Sequence, residues 1–81
     1  MNVRVLFFAE ARLNVGTPSL GLVLPPDSTV ADLRHAISQR YPAIDTLLAR
    51  SAIAVNQRFV ADSCGLTESD EIAVIPPVSG G

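Results

Sequence analysis

At the amino-terminal end of the chain, apolar side chains alternate along an extended backbone. Val3, Val5 and Phe7 point one way, while Arg4, Leu6 and Phe8 point the other. This period of two predicts a first strand over Asn2–Ala9. A polar, glycine-containing connection comes next over Glu10–Thr17, with a short helical start at Glu10-Ala-Arg12. Leu20–Leu24 reads as a second strand, the hairpin partner of the first, ended by Pro25-Pro26-Asp27. The period then changes. Val30, Leu33, Ile37 and Tyr41 recur at spacings of three and four, the stripe of an amphipathic helix. Thr29 is its expected N-cap, with Asp32 placed as the partner of a capping box, and Pro42 stops it. Ile44–Arg50 predicts a short helical connection that carries Leu47 and Leu48 inward. Ile53–Asn56 and Arg58–Val60 are two short strands about a turn near Asn56-Gln57, and Leu66 is the buried anchor of a loop over Ala61–Ser69. Ile72–Ile75 closes the chain as a buried strand. The order is β-β-α-β-β-β. The simplest closure sets the last strand parallel to the first in the sheet centre, because the helix supplies the crossover that parallel neighbours need. The fold class is therefore α+β, a mixed sheet with one main helix across one face, the β-grasp arrangement.

Composition narrows the function classes. Eighty-one residues make one domain, and a hydrophobic content of 48% is enough for a core without a disulfide or metal staple. A net charge of −2 with scattered arginines lacks the basic stripe that nucleic acid requires. There is no long apolar run for a membrane span and no leader pattern. The lone Cys64 suits a reducing cytoplasm, and with no Lys or His beside it in sequence it reads as structural rather than reactive. His35 lies off the helical stripe and reads as solvated. With no second histidine and no cysteine cluster, no metal site is expected. The cations are six arginines (Arg4, Arg12, Arg34, Arg40, Arg50 and Arg58), and lysine is absent. No nucleophile–base pair, phosphate loop or acid pair stands out, and Asp70-Glu71 reads as a turn followed by a strand start.

The chemistry therefore falls on the end of the chain. Pro76 and Pro77 terminate the last strand and bias the residues beyond them toward an extended path. Val78, Ser79, Gly80 and Gly81 complete it, and glycines let a backbone enter a channel too narrow for a Cβ. Pro76–Gly81 can reach at most about 20 Å. The expected division is a β-grasp domain over 1–75 and a flexible tail over 76–81. A terminal carboxylate titrates at about 3.3–3.7, so it is ionised at neutral pH and a poor electrophile, and acyl chemistry there needs activation by another protein.

Three stretches carry a family resemblance. They are Val3-Arg-Val-Leu-Phe-Phe-Ala9 with Arg12 and Gly16, Ser28-Thr-Val-Ala-Asp-Leu33, and Asp70-Glu-Ile-Ala-Val-Ile-Pro-Pro-Val-Ser-Gly-Gly81; Ala54-Val-Asn56 also fits. The chain resembles the ubiquitin-like sulfur carriers of the MoaD and ThiS type, and within them the small subunits of molybdopterin synthase. Ser69 departs from the glycine usual before the Asp-Glu pair. The resemblance implies a ubiquitin-like β-grasp whose Gly81, preceded by Gly80, is adenylated by an E1-like enzyme that uses ATP. A sulfur donor protein then converts it to a thiocarboxylate. It further implies a large synthase subunit (MoaE-like) that receives Pro76, Pro77, Val78 and Ser79 and passes sulfur to cyclic pyranopterin monophosphate, in a heterotetramer. This chain itself would bind no cofactor and contribute no catalytic side chain.

One helix covers one face of a sheet. Alternation sends Leu6, Phe8, Ala73 and Ile75 to the other face, with Phe59 joining them, where a meander would ordinarily be polar. Such a patch either docks a partner, centred on Phe8, Phe59 and Ile75, or lies beneath loops. Other functions remain open from the residues: a sulfur carrier for thiamine or tRNA thiolation, a protein modifier attached to target lysines, or a binding module with an incidental Gly-Gly end.

Overall fold

The alternation of the first strand has a matching covering layer. In the computed structural model, which describes residues 1–77, Val3, Val5 and Phe7 are buried against the stripe Val30, Leu33 and Ile37. The elements are β1 (Asn2–Phe7), α1 (Ala9–Val15), β2 (Ser19–Val23), α2 (Val30–Arg40), a 3-10 turn (Pro42–Ile44), α3 (Asp45–Ala49), β3 (Ala52–Val55), β4 (Arg58–Phe59) and β5 (Glu71–Ile75). The strands form one sheet in the order β2-β1-β5-β3-β4. β1 and β5 are parallel at its centre and the other neighbours are antiparallel, so the expected mixed sheet and α+β class are observed.

Register explains the core. Val5 lies opposite Ile72 and Phe7 opposite Val74, while Ile53 and Val55 meet Val74 and Ile72 from the other side. These residues share the face beneath α2, and Ile44, Leu47, Leu48 and Leu66 close its margins. Each fully buried aliphatic side chain contributes about 1.5–3 kcal/mol. Phe7 adds an edge-to-face contact with Tyr41, ring centroids 6.3 Å apart.

Local chemistry sets the helix ends. Thr29 Oγ1 accepts the Asp32 N–H at 3.3 Å, and the Asp32 carboxylate accepts the Thr29 N–H at 2.8 Å, a complete capping box. At the other end Tyr41, constrained by Pro42, leaves the helical region, and Pro42 opens the 3-10 turn. Arg34 interrupts no core contact. Its guanidinium donates to the Leu48 and Ser51 carbonyls and to Asp62 Oδ1, which ties α2 to the end of α3 and to the loop before Cys64. His35 is exposed and Cys64 is half-buried against the core, as their sequence context suggests.

Several boundaries differ from those the sequence predicts. β1 ends at Phe7 rather than Ala9, because Ala9 turns to φ 50° and breaks the extended backbone. The connection over Glu10–Thr17 is mostly a true helix, α1. Gly16 stops it in the left-handed region at φ 85°, returning its N–H to the Arg12 carbonyl at 2.9 Å. The helix was hidden because Ala11 is its one fully buried side chain, too weak a periodic signal. β2 lies one residue earlier than expected. β4 stops at Phe59, although the Val60 N–H still donates to the Ile53 carbonyl at 3.1 Å. Asn56 and Gln57 both have positive φ, the two-residue turn suited to the sheet twist between β3 and β4.

Candidate functional site

β5 joins the two halves of the site. Its first residues are fixed by a polar clamp, and its last residue leads into the tail. Asp70 accepts the Thr67 N–H at 2.7 Å, the Thr67 hydroxyl at 3.0 Å and the Asn56 side-chain amide at 2.9 Å. Asn56 in turn brackets the next residue: its backbone N–H donates to the Glu71 carbonyl at 2.8 Å, and its Oδ1 accepts the Glu71 N–H at 3.0 Å. Burial pushes the Asp70 carboxyl up. The hydrogen bonds from the Thr67 backbone, Asn56 and the Thr67 hydroxyl outweigh that effect and hold its pKa below the usual carboxylate value. Asp70 is thus a structural anchor, consistent with a turn and not with acid–base work. Ser69, just before it, has φ 68°, the backbone region that favours glycine. The Ser69 side chain therefore sits where it carries a conformational cost.

On the face away from α2, one row crosses four strands. Leu6 is opposite Ala73, Ala73 opposite Ala54, and Ala54 opposite Phe59. Directly paired residues share a face, so Phe59 belongs to the uncovered side. The next row toward the tail pairs Ile75 with Ala52. Ala52, Ala54 and Ala73 form a low floor, with Leu6 and Ile75 on one side and Phe59 on the other. Three strand spacings separate β1 from β4, about 14 Å. Phe59 is 72% exposed, Phe8 47% and Ala52 is exposed, while Ala54 between its larger neighbours is buried and Leu6, Ala73 and Ile75 are half-buried, so the face is open at its rim and low at its centre. The alternative of burial under loops is set aside. Phe8 is not a strand residue as expected. It is the N-cap of α1, still extended at φ −121° and ψ 156°, and so continues the side taken by Leu6. Toward the start of β5 the same face turns polar, with Arg4 opposite both Gly21 and Glu71.

Of the expected tail-side residues, Ile75 is half-buried and Pro77 exposed. Pro76 was expected to be free for a partner. It is buried, because it directly continues a strand flanked on both sides by neighbours and approached by α1. Val78, Ser79, Gly80 and Gly81 lie outside the described residues. Sequence reasoning missed the alanine floor and the Asn56–Asp70 clamp. The Thr67-x-x-Asp70 spacing was the available signal for half of that clamp.

Among the described residues, no group of three or more His, Cys, Asp or Glu side chains is placed to hold a metal ion. No described helix is long and apolar enough to cross a membrane. Shallow hollows beside α2 are lined by Arg34, His35, Ser38 and Asp45. There Ser38 Oγ donates to Asp45 at 2.7 Å, and His35 Nε2 faces Gln39 Nε2 at 3.3 Å, so serine has no base and the trio is not a catalytic set.

The ThiS family matches residues 5–81, nearly the whole chain. The chain belongs to the ThiS family. A curated relative of this ThiS-family chain, the molybdopterin synthase sulfur carrier subunit of Arabidopsis thaliana, is 33% identical over 81 residues, covering 100% of this chain and 84% of the relative. The fold matches SAMP1 from Haloferax volcanii with a TM-score of 0.91 at 24% identity and full coverage of both chains, a likeness of architecture. A protein–protein complex of subunits 1 and 2 of molybdopterin-converting factor from Helicobacter pylori contains a chain matched with a TM-score of 0.72 and 28% identity, again over 100% of both. The ThiS-family fold is thus the ubiquitin-like β-grasp, and the Arabidopsis thaliana relative is named a sulfur carrier subunit of molybdopterin synthase.

Proposed function

We propose that this ThiS-family chain is the sulfur carrier and small subunit of a molybdopterin synthase, with Gly81 as its reacting end. An E1-like enzyme lets the Gly81 carboxylate attack the α-phosphorus of ATP, pyrophosphate leaves, and an acyl adenylate results. The terminal sulfur of a donor-protein persulfide attacks the acyl carbon and AMP departs, and a second protein thiol then cleaves the S–S bond of the resulting acyl disulfide, leaving the thiocarboxylate and a protein disulfide. A MoaE-like large subunit docks on the face of Leu6, Phe8, Phe59 and Ile75 and takes Pro77, Val78, Ser79, Gly80 and Gly81 into its active site. There the sulfur passes to cyclic pyranopterin monophosphate, and two such transfers build the dithiolene. The working assembly is a heterotetramer in the cytoplasm, and ATP is used by the activating partner alone.

The observation that supports this reading best is the uncovered apolar face at the end of β5, the end from which the tail departs. Docking there sets where the tail begins. From exposed Pro77 the remaining residues reach at most about 18 Å, so docking converts sulfur delivery into an almost intramolecular event. The test is deletion of Gly81 in a reconstituted synthase with purified large subunit. Product formation should be abolished while the circular dichroism spectrum and melting curve stay as in the full chain. Molybdopterin formation that survives the deletion would end this proposal.

A further inference from the structure

An activated carboxy terminus endangers the protein that bears it, since an acyl adenylate or thioester is captured by any amine or thiolate that reaches its carbonyl carbon. This chain contains no lysine, and all six of its cations are arginine. Guanidinium groups stay protonated in proteins, so they carry charge without a nucleophilic lone pair. The single thiol is restrained by the fold. Cys64 is half-buried against the core, with Sγ directed to the Gly65 carbonyl at 3.5 Å. Its segment is pinned by the Val30 N–H donating to the Cys64 carbonyl at 3.0 Å and by the bridge between Thr29 and Gly65. The Met1 ammonium is also engaged: it donates to the Leu24 carbonyl at 2.7 Å, while the Leu24 N–H donates back to Met1 at 2.9 Å.

We propose that the chain is an acyl donor closed as an acceptor: its own strong nucleophiles are either missing from the sequence or held by the fold, so activated Gly81 reacts only with another protein's sulfur or amine. This rests on the reading of Gly81 as the activated end. In the reaction that is withheld, a carrier amine would attack the Gly81 carbonyl carbon and form a C–N bond. The bond to the leaving AMP or thiol would break with its electron pair, and the amine proton would pass to solvent. Copies of the charged carrier can therefore accumulate beside one another without cross-linking. If the chain is ever attached to a target lysine, the adduct is single, since nothing on the first carrier accepts a second.

The test uses the full chain with a thioester installed chemically at Gly81, which makes it independent of any activating enzyme. The protein is held concentrated at mildly alkaline pH and monitored by intact mass and denaturing gels, with and without hydroxylamine. Added free lysine should capture the thioester, showing that it is live, while the protein alone should only hydrolyse. Arg50→Lys and Arg58→Lys place amines at exposed positions and should form covalent dimers roughly ten-fold faster than the parent or more. Parent dimers appearing as fast as those of the lysine variants would overturn the proposal: an amide would implicate Met1, and a hydroxylamine-sensitive link Cys64. Lysine variants that dimerise no faster than the parent would also overturn it, since the missing amines would then not be what prevents self-capture. Circular dichroism confirms that both variants fold. A synthase that keeps working without Gly81 would instead count against the sulfur-carrier reading and leave this result standing.

Discussion

Truncation of Phe59 separates docking from folding. Phe59 ends the two-residue strand β4 and is 72% exposed, so Phe59→Ala removes little that the isolated fold buries. A phenylalanine buries about 150–250 Å² when fully covered, so a partner seated on this face would newly cover about 110–180 Å² of it. At about 25 cal/mol per Å² that is roughly 3–4.5 kcal/mol, and less after the alanine Cβ is retained and the partner surface relaxes. The expected loss of affinity for the large subunit is about 2–3 kcal/mol, or roughly 30- to 150-fold in Kd. Isothermal titration calorimetry of the purified pair would measure it, with thermal melts of the free carriers in parallel. The melting temperature should move by no more than about 2–4 °C, roughly what a surface substitution of up to about 0.5 kcal/mol does in a domain of this size. An affinity within about three-fold of the parent, a difference of well under 1 kcal/mol, with the fold intact would refute the assignment of this face.

The scaffold sets three further outcomes. Ser69→Gly should stabilise the protein by about 0.5–1 kcal/mol, because the left-handed backbone costs an L-residue about 1–2 kcal/mol and glycine's looser unfolded state returns part of it; urea titration would show it as a higher midpoint at an unchanged slope. Asp70→Asn should cost about 1–3 kcal/mol at neutral pH by weakening the bonds from Thr67 and Asn56. The folded carboxyl titrates below its unfolded value, so its stabilisation is complete above the unfolded pKa and is lost as pH falls through the folded one. Melting curves of parent and variant should therefore converge in acid. Arg34→Lys should destabilise by about 1–2 kcal/mol, since one ammonium cannot span the Leu48 and Ser51 carbonyls and Asp62 together, and chemical denaturation would report it.

The features legible in the sequence are those that depend on period. Val3, Val5 and Phe7 alternate, Val30, Leu33 and Ile37 repeat helically, and a helix between two strands permits them to lie parallel, which was enough for the sheet centre. Elements whose buried contribution is small were only partly legible: α1 fully buries Ala11 alone, with Val15 partly packed on the core, so its start was seen at Glu10-Ala-Arg12 but not its full length. The tail stands out in the sequence by residue type alone, as a diproline followed by a Gly-Gly end. Pro76 was misread because diproline looks like a spacer in any context, and only its position at the end of a flanked central strand buries it. The uncovered apolar face falls between these extremes. Its apolar character came from alternation along β1 and β5, but a two-residue strand has no usable period, so the side taken by Phe59 came only from its register against Ala54.

The same register accounts for how the carrier can be rigid and still deliver its end. At the start of β5, Asn56 and Asp70 lock the strand to the β3–β4 turn with hydrogen bonds to both backbone groups of Glu71. Ladder bonds from β1 and β3 hold the strand from there to Ile75, and burial of Pro76 extends the fixed part by one more residue. Within the described residues the backbone is therefore held as far as Pro76, and each residue already held spares a partner about 1–2 kcal/mol of ordering entropy. Pro77 adds less than an ordinary residue to such a cost because its φ is already restricted. The uncovered apolar face lies directly beside the point where this held stretch ends. A patch at the polar end of the same face, near Arg4 and Glu71, would have to bridge the length of β5 before the tail began.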